Sequence, residues 1–241
     1  MKILAFDSTA KTASVALLDD RRMVALFNID NGLTQSELLL PMAEDLLKRC
    51  KIDFDDIDMV CCSEGPGSFT GVRIAVALVK GIALGRDLPC VGVSTLEALC
   101  ANAEGLSGII VPVMDARRGQ VYTAVFKSDD EGCKRVTEDC AIAITELYEK
   151  LSEFSGTPIY LVGDGYEVAY KGLSSLGLKL ERTPELLKAQ NAYSIGRLAY
   201  DKYKNGNFTK DTEISPTYLR VPQAERERLE RIEKENAKDE K

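Results

Sequence analysis

The feature of this 241-residue sequence that most constrains its fold is a strand, aspartate, turn and strand unit that occurs twice. Each copy joins an apolar run to a second β-prone run through a polar turn: 3–6, Asp7 and 14–18 in the first copy, and 109–114, Asp115 and 121–126 in the second. Such units predict β-hairpins. The two aspartates stand 108 positions apart. Unless the match is a coincidence, the repeat predicts an α/β protein with two similar halves.

The segments between and after the repeats continue the alternation of strands and helices. Thr34 and Glu37 have the spacing of a capping box and predict a helix that runs to about Cys50. A second helix is expected to begin within 65–73 and to end near Leu84. The remaining predicted elements are strands at 57–63, 88–93 and 159–162 and helices at 145–154 and 191–204.

These elements divide the chain into two lobes and an extension. Residues 1–104 form the first lobe, which carries two long apolar helices, and residues 105–188 form a smaller second lobe. A helix at about 190–205 is expected to pack back near the first lobe. Residues 206–241 form a C-terminal extension, and from Pro222 onward they are mostly Glu, Arg and Lys, which is typical of a solvated tail.

Composition excludes several classes of function. The sequence contains no histidine, so it lacks the usual base of hydrolase triads and the commonest metal ligand, and no metal site is expected. The net charge of −7 argues against tight binding of nucleic acid by the chain alone. Seven cysteines without a CxxC pair favour a reducing cytoplasm over a disulfide framework. No apolar run approaches the ~20 residues of a membrane span, so no membrane association is expected.

The segment 65–73, GPGSFTGVR, lies between a predicted buried strand and a predicted helix. Glycines at such a place let backbone amides approach an anion, and Ser68 or Thr70 is suited to cap the helix. The segment lacks the lysine of a P-loop and the acidic residue that follows a dinucleotide-binding loop. The pattern is therefore compatible with two interpretations of the segment, a loop that binds phosphate and a tight turn from strand to helix.

The two helices of the first lobe are apolar over a wider arc than one core face requires, which is typical of helices buried on two sides. Ten of their residues are predicted to form a partner interface: Leu38, Leu39, Met42, Leu46, Val72, Ile74, Ala75, Leu78, Val79 and Ile82. Ala77, Gly81 and Gly85 form a row of small residues that would let another backbone approach. The alternative is that both helices lie inside a large internal core.

Five segments together resemble the TsaB family, also called YeaZ: ILAFDST, GPGSFTGVRIAVALVKGIALG, GVSTLEAL, MDARRGQVYTA and PTYLR. They occur in the order and at the spacing of the family from residue 3 to residue 220, so the resemblance covers nearly the whole chain. It implies the fold of the actin-like ATPase superfamily, in which two ribonuclease-H-like halves contain mixed sheets flanked by helices.

The resemblance also implies a function. It indicates a non-catalytic scaffold that supports threonylcarbamoylation of the adenosine 3′ of the anticodon in tRNAs reading codons that begin with A. Such a subunit binds a TsaD-type transferase, works with a TsaE-type ATPase and forms a homodimer when alone. No catalytic residue is therefore expected here. Binding of tRNA is expected through the complex, and ATP and metal only in partner subunits or at their junction.

A vestigial anion or nucleotide cleft is expected where the superfamily's phosphate loops meet the glycine-rich segment. Its residues are Asp7, Ser8, Thr9, Asp115 and Arg117 of the loops and Gly67 and Ser68 of the segment. The chain departs from nucleotide-binding members because no glycine stands two residues after either aspartate. It also has Gln35 where a histidine is expected before the first Ser or Thr of the first helix.

Two enzymatic alternatives remain. A small ATP-dependent kinase would use Asp7 and Asp115 to steer Mg-ATP, although the missing glycines and general base argue against it. A ribonuclease-H-type nuclease would need carboxylates that converge on two metals, with Asp7, Glu64, Asp115 and Asp164 as candidates.

Overall fold

The computed structural model describes residues 1–130 and 132–220, and over these residues the chain forms two β-sheets with helices on their faces. The charged tail predicted from Pro222 onward lies outside the described residues. Among the helices described, none is both long and apolar enough to cross a membrane. The two sheets confirm the predicted α/β fold with two similar halves.

The first sheet has five strands in the order β3-β2-β1-β4-β5: β1 (Lys2–Asp7), β2 (Ala13–Asp19), β3 (Arg22–Ile29), β4 (Met59–Gly65) and β5 (Cys90–Ser94). β1 pairs antiparallel with β2 and parallel with β4. Leu4 and Phe6 belong to the core on one face of β1, and Ile3 and Ala5 to the core on the other. The strand reads as a continuous apolar run because both of its faces are covered.

Helices cover both faces of the first sheet. α1 (Gln35–Cys50) and α2 (Phe69–Ala83) lie on one face, and α7 (Ala192–Lys204) lies on the other. The predicted capping box is present, since the Thr34 N–H donates to the Glu37 carboxylate at 3.1 Å. Because α7 follows the second lobe in sequence, the chain returns to the first lobe after the second is complete.

The second sheet repeats this plan around β6 (Gly108–Asp115), which corresponds to β1. Its other strands are β7 (Gln120–Thr123), β8 (Phe126–Asp129), β9 (Gly132–Arg135), β10 (Cys140–Ala143) and β11 (Ile159–Val162). β6 pairs antiparallel with β7 and β8 and parallel with β11. The single strand predicted at 121–126 is interrupted, because the backbone of Val125 bonds instead to Val136 and Thr137.

Four further helices surround the second sheet. α4 (Ile144–Ser152) and α5 (Tyr166–Ser175) pack on one of its faces, and the short α6 (Glu185–Lys188) lies beside β11. α3 (Thr95–Asn102) directly follows β5 of the first sheet, yet its buried side chains pack against β6 on the other face of the second sheet. α3 also contacts α7, so it lies between the two lobes.

Candidate functional site: an interlobe cleft and an exposed helix edge

A cleft of about 800 Å³ separates the two lobes beside the carboxyl ends of β1 and β6, where the repeated aspartates stand. Five of the seven residues predicted for an anion or nucleotide cleft line it: Thr9, Gly67, Ser68, Asp115 and Arg117. The other two, Asp7 and Ser8, lie behind its wall and are at most 1% exposed. The loops that the sequence singles out therefore meet at one place, although not all of their side chains face it.

The carboxylate of Asp7 holds the first loop, which joins β1 to β2, in place. Its Oδ1 accepts hydrogen bonds from the backbone N–H and the hydroxyl of Thr9, both at 2.7 Å, and its Oδ2 accepts one from the Ser63 hydroxyl at 2.8 Å. Burial raises the pKa of Asp7, and these three donors offset part of that rise. A carboxylate enclosed in this way is poorly placed to hold a metal-bound nucleotide in the cleft.

The glycine-rich segment packs against the first loop backbone to backbone. The Ser68 N–H donates to the carbonyl of Thr9 at 2.8 Å, and the Ser8 hydroxyl donates to the carbonyl of Gly71 at 2.7 Å. A Cβ on Gly71 would lie 1.9 Å from the carbonyl oxygen of Ser8, and a Cβ on Gly67 would lie 2.7 Å from that of Thr9. These close approaches support the tight-turn interpretation of the segment.

The second loop, which joins β6 to β7, and the end of β6 carry exposed charges into the cleft. Asp115, Arg117 and Arg118 all line it, and Asp115 Oδ1 accepts a hydrogen bond from the Arg117 N–H at 2.7 Å. Arg117, Arg118 and Gly119 have φ values of 62°, 55° and 71°. The left-handed conformation costs a residue other than glycine roughly 1–2 kcal/mol, so two arginines in succession make this loop strained.

Asp164, two residues after β11, lies next to the second loop. Its Oδ1 accepts a hydrogen bond from the Asp115 N–H at 3.3 Å. Although Asp164 is exposed to the cleft, the surrounding protein partly desolvates its carboxyl and raises the pKa to about 6. The negative charges of Asp115 and Asp7 act in the same direction. The hydrogen bond from Asp115 and the positive charge of Lys11 act against this rise. Sequence reasoning considered Asp164 only as a nuclease ligand and did not predict this pairing.

The raised pKa predicts that ionisation of Asp164 destabilises the folded chain. Between the ordinary value of about 4 and the folded value of about 6, the native state binds the proton more tightly than the unfolded state. The stabilisation is therefore complete below about pH 4 and is lost as pH rises through 6. We expect the urea midpoint of the wild type to fall over this range relative to that of Asp164→Asn, as measured by circular dichroism. Parallel pH profiles would contradict this expectation.

The four carboxylates required by the nuclease alternative do not converge. Asp115 and Asp164 are adjacent, but the Asp7 carboxylate is enclosed by hydrogen bonds to Thr9 and Ser63, and the Glu64 carboxylate interacts with the positive charge of Lys202 on α7. Within 1–130 and 132–220, no group of three or more Cys, Asp or Glu side chains is arranged to hold a metal ion. The part of the chain that the structure describes therefore does not provide the pair of metal sites that this chemistry needs.

The side chain of Gln35, which is not ionisable, forms hydrogen bonds to the first loop. Its side-chain amide donates to the backbone carbonyl oxygens of Ala10 at 2.8 Å and Lys11 at 3.1 Å. Gln35 stands where a histidine is expected from the family pattern, and here the position ties the start of α1 to the cleft wall.

The C-terminal segment 217–220 crosses the mouth of the cleft. In the first lobe, the Thr217 N–H donates to the carbonyl of Glu64 at 2.7 Å. In the second lobe, the side chain of Arg220 donates to that of Gln120 on β7. This segment, which we call the C-terminal strap, therefore connects the two lobes a short distance from the repeated loops.

Tyr218 of the C-terminal strap packs on the first turn of α2. Its ring centroid lies 5.0 Å from that of Phe69, and its hydroxyl accepts a hydrogen bond from Arg73 Nε at 2.7 Å. The guanidinium of Arg73 also lies over the ring of Phe69 at 3.8 Å. The strap is thus joined to the helix that carries most of the predicted partner interface.

The structure divides the ten predicted interface residues into two groups. Six belong to the chain's own core and are at most 5% exposed: Leu39, Met42, Leu46, Val72, Ala75 and Val79. This corrects the expectation for these six, because a side chain that is already buried has no area left to bury against a partner. The other four are partly exposed at the margin of that core: Leu38, Ile74, Leu78 and Ile82. For these four, the interface stays a prediction.

An open row of small residues runs beside these four side chains. Ala77 and Gly81 are exposed, and a Cβ on Gly81 or Gly85 would meet no atom within 4 Å. Leu84, which caps the carboxyl end of α2, is 71% exposed. The row therefore faces away from the chain's own sheet. We call the whole surface the α2 edge, which consists of Leu38, Ile74, Ala77, Leu78, Gly81, Ile82, Leu84 and Gly85.

The duplicated lobes, whose repeated loops meet at one cleft, have the two-lobed fold expected for the actin-like ATPase superfamily. Comparison with known families identifies a smaller group within this fold. The family model of TsaD, tRNA N6-adenosine threonylcarbamoyltransferase, matches residues 34–227.

Individual relatives point to a particular family. The chain is 33% identical over 223 residues to the tRNA threonylcarbamoyladenosine biosynthesis protein TsaB of Escherichia coli, an alignment that covers 91% of this chain and 95% of the relative. It is 35% identical over 163 residues to TsaB of Bacillus subtilis, with coverage of 68% and 71%. The solved structure of YeaZ from Pseudomonas aeruginosa matches with a TM-score of 0.72 and 24% identity, over 90% of this chain and 99% of that one. The chain belongs to the TsaB family of tRNA threonylcarbamoyladenosine biosynthesis proteins.

Proposed function

We propose that the chain is a non-catalytic scaffold subunit that binds a TsaD-type transferase through the α2 edge. In this role it supports threonylcarbamoylation of the adenosine 3′ of the anticodon in tRNAs reading codons that begin with A. The observation that carries the proposal is the α2 edge itself, where partly exposed apolar side chains flank small residues open to solvent. Burying each large apolar side chain against a partner contributes up to about 1.5–3 kcal/mol.

The shape of the α2 edge suits a helix of the partner. Small residues spaced four apart allow two helix axes to approach closely, because the separation of packed helices depends on the side chains at the contact. An open depression of about 380 Å³ adjoins the carboxyl half of α2, and Gly81 and Leu84 contribute to its lining. A side chain from the partner helix would fill this depression, with Lys80 and Asp211 at its rim available for polar contacts.

A TsaD-type partner is supported by the similarity between the two proteins. The TsaD family model matches residues 34–227, a region that contains both α1 and α2. Chains that share a fold can pair through equivalent helices about an approximate two-fold axis. The same arrangement would allow two copies of this chain to pair when the transferase is absent, so the homodimer and the complex would compete for the α2 edge.

The remaining ligands are assigned to the complex rather than to this chain. A net charge of −7 is unfavourable for holding tRNA alone, so we assign tRNA binding to the assembly with the transferase and a TsaE-type ATPase. ATP and metal are assigned to those partners or to their junction with this chain. The occupied carboxylate of Asp7 supports this assignment, and it argues against the kinase alternative, in which Asp7 would steer Mg-ATP.

The proposal is tested by reconstitution with the purified transferase and ATPase of the same organism. We expect this chain alone to transfer no threonylcarbamoyl group from its AMP adduct to tRNA. Sustained modification is expected only when all three proteins are present, and size-exclusion chromatography should show this chain and the transferase eluting together. Transfer by the chain alone would contradict the non-catalytic role, and separate elution with full activity in its absence would contradict the scaffold role.

A further inference from the structure

Two thiols meet where α3 lies against the hairpin of β8 and β9. Cys100 on α3 is 1% exposed, whereas Cys133 on β9 is partly exposed. The Cys133 thiol donates a hydrogen bond to the carbonyl oxygen of Cys100 at 3.5 Å, and Cys133 packs against the buried cluster that contains Cys100. Because Cys133 is partly exposed, a small solute can reach it from solvent, whereas Cys100 is buried.

The surroundings of Cys133 favour its thiolate. When it is protonated, the Cys133 thiol donates a hydrogen bond to the carbonyl of Cys100. When it is ionised, it can accept hydrogen bonds from the Cys100 thiol and from the Ser128 hydroxyl, which is buried and forms no other hydrogen bond among the described residues. Arg197 adds a nearby positive charge, although its ion pair with Glu104 moderates the effect. These groups lower the pKa of Cys133 to about 7, although burial acts in the opposite direction. The pKa of Cys100 is raised by the hydrogen bond that it would donate to the Cys133 thiolate and by burial.

We propose that Cys133 and Cys100 form a thiol oxidation site, at which Cys133 reacts first with a peroxide and Cys100 then closes a disulfide between β9 and α3. This site lies apart from the α2 edge and does not depend on the proposed scaffold function.

The reaction consumes one hydrogen peroxide for each disulfide. The Cys133 thiolate attacks one peroxide oxygen, so that an S–O bond forms, the O–O bond breaks and hydroxide leaves. Sulfur is oxidised and the peroxide is reduced by two electrons. The hydroxide takes the proton of Cys100, whose sulfur then attacks the Cys133 sulfenic acid. The S–S bond forms, the S–O bond breaks and the oxygen leaves as water with a proton from solvent, so two thiols and one peroxide give a disulfide and two waters.

The charge on Cys133 explains why Cys133 reacts first and Cys100 second. Before oxidation, the negative charge on Cys133 helps to hold the proton on Cys100. The sulfenic acid is neutral, so its formation removes that charge and makes Cys100 easier to deprotonate at the moment when its attack is required. Cys61 and Cys62 contrast with this pair, because burial in the first sheet raises the pKa of both thiols and keeps them protonated.

The test is peroxide treatment of the full chain, followed by blocking of free thiols and peptide mapping without reduction. We expect a linked pair of peptides containing Cys100 and Cys133, which dithiothreitol separates. Cys133→Ser should abolish the link. Cys100→Ser should leave Cys133 as a sulfenic acid that dimedone traps. In the untreated protein, iodoacetamide should modify Cys133 at pH 7 about tenfold faster than Cys140, since the thiolate is the reactive form.

Cys140→Ser is the matched control, because Cys140 is also a partly exposed cysteine on a strand of the second sheet, but burial raises its pKa. The Cys140→Ser variant should form the Cys100–Cys133 link as the wild type does. Circular dichroism verifies that each variant is folded. The proposal is overturned if the folded wild type forms no such link, or if Cys140 is oxidised as readily as Cys133.

Discussion

Replacing Leu78 with glutamate is expected to disrupt the complex with the transferase while the isolated chain remains folded. Leu78 lies within the α2 edge and is only partly buried by the chain's own core. A carboxylate there would lose its water without gaining a partner when the interface forms. We expect the binding free energy to weaken by about 2–4 kcal/mol, or roughly 30- to 1000-fold in affinity, measured by isothermal titration calorimetry.

The same substitution at Leu186 provides the control, because this leucine is 90% exposed on α6 of the second lobe. Leu186→Glu should bind the transferase with the affinity of the wild type. Thermal melting identifies any loss of folding, and if Leu78→Glu does not fold, Leu78→Ala should still weaken binding without introducing a charge. A folded Leu78→Glu variant that binds normally would show that the α2 edge is not the contact surface.

Gly71→Ala is expected to destabilise the chain by about 3 kcal/mol or more. A Cβ at this position would lie 1.9 Å from the carbonyl oxygen of Ser8. Relief of that overlap would move α2 away from the first loop and strain the 2.7 Å hydrogen bond from the Ser8 hydroxyl to the Gly71 carbonyl. For a chain of 241 residues, we expect the melting temperature to fall by about 10 °C in differential scanning calorimetry.

Gly81→Ala is the matched control on the same helix. A Cβ on Gly81 meets no atom within 4 Å, so the substitution should stabilise the isolated chain by up to about 1 kcal/mol through helix propensity. The two changes are chemically identical and should have opposite effects on stability. A Gly71→Ala variant as stable as the wild type would mean that the close packing of α2 on the first loop does not limit the fold.

The parts of the fold that sequence predicts well are those with local signals. The repeated strand and aspartate units correspond to β1 and β6, and the capping box correctly locates the start of α1. The row formed by Ala77, Gly81 and Gly85 is also visible in the sequence, but the sequence does not show whether this row faces the sheet or the solvent. A helical wheel shows that α2 is apolar on more than one side, and it cannot show which side meets the sheet.

Other features depend on contacts between distant residues. α3 has eight residues, too few for a clear helical period, and its position between the lobes depends on packing against β6 and α7. Sequence identifies PTYLR as part of the family pattern, but the crossing of the cleft becomes visible only when Thr217 meets Glu64 and Arg220 meets Gln120. The direction of the Asp7 side chain also depends on such contacts. Asp7 stands at a phosphate-loop position of the family pattern, yet its carboxylate is buried in the protein interior.

The C-terminal strap has a mechanical consequence. The chain already joins the lobes between α3 and β6 and again between α6 and α7, and the strap adds a noncovalent connection on the cleft side. Hinge rotation of one lobe against the other would therefore strain the contact of Thr217 with Glu64 or that of Arg220 with Gln120. By resisting this rotation, the strap favours one arrangement of the surfaces of the two lobes, and association then loses less conformational entropy. Such resistance to lobe movement fits the scaffold role proposed above, in which the chain presents one surface to the transferase.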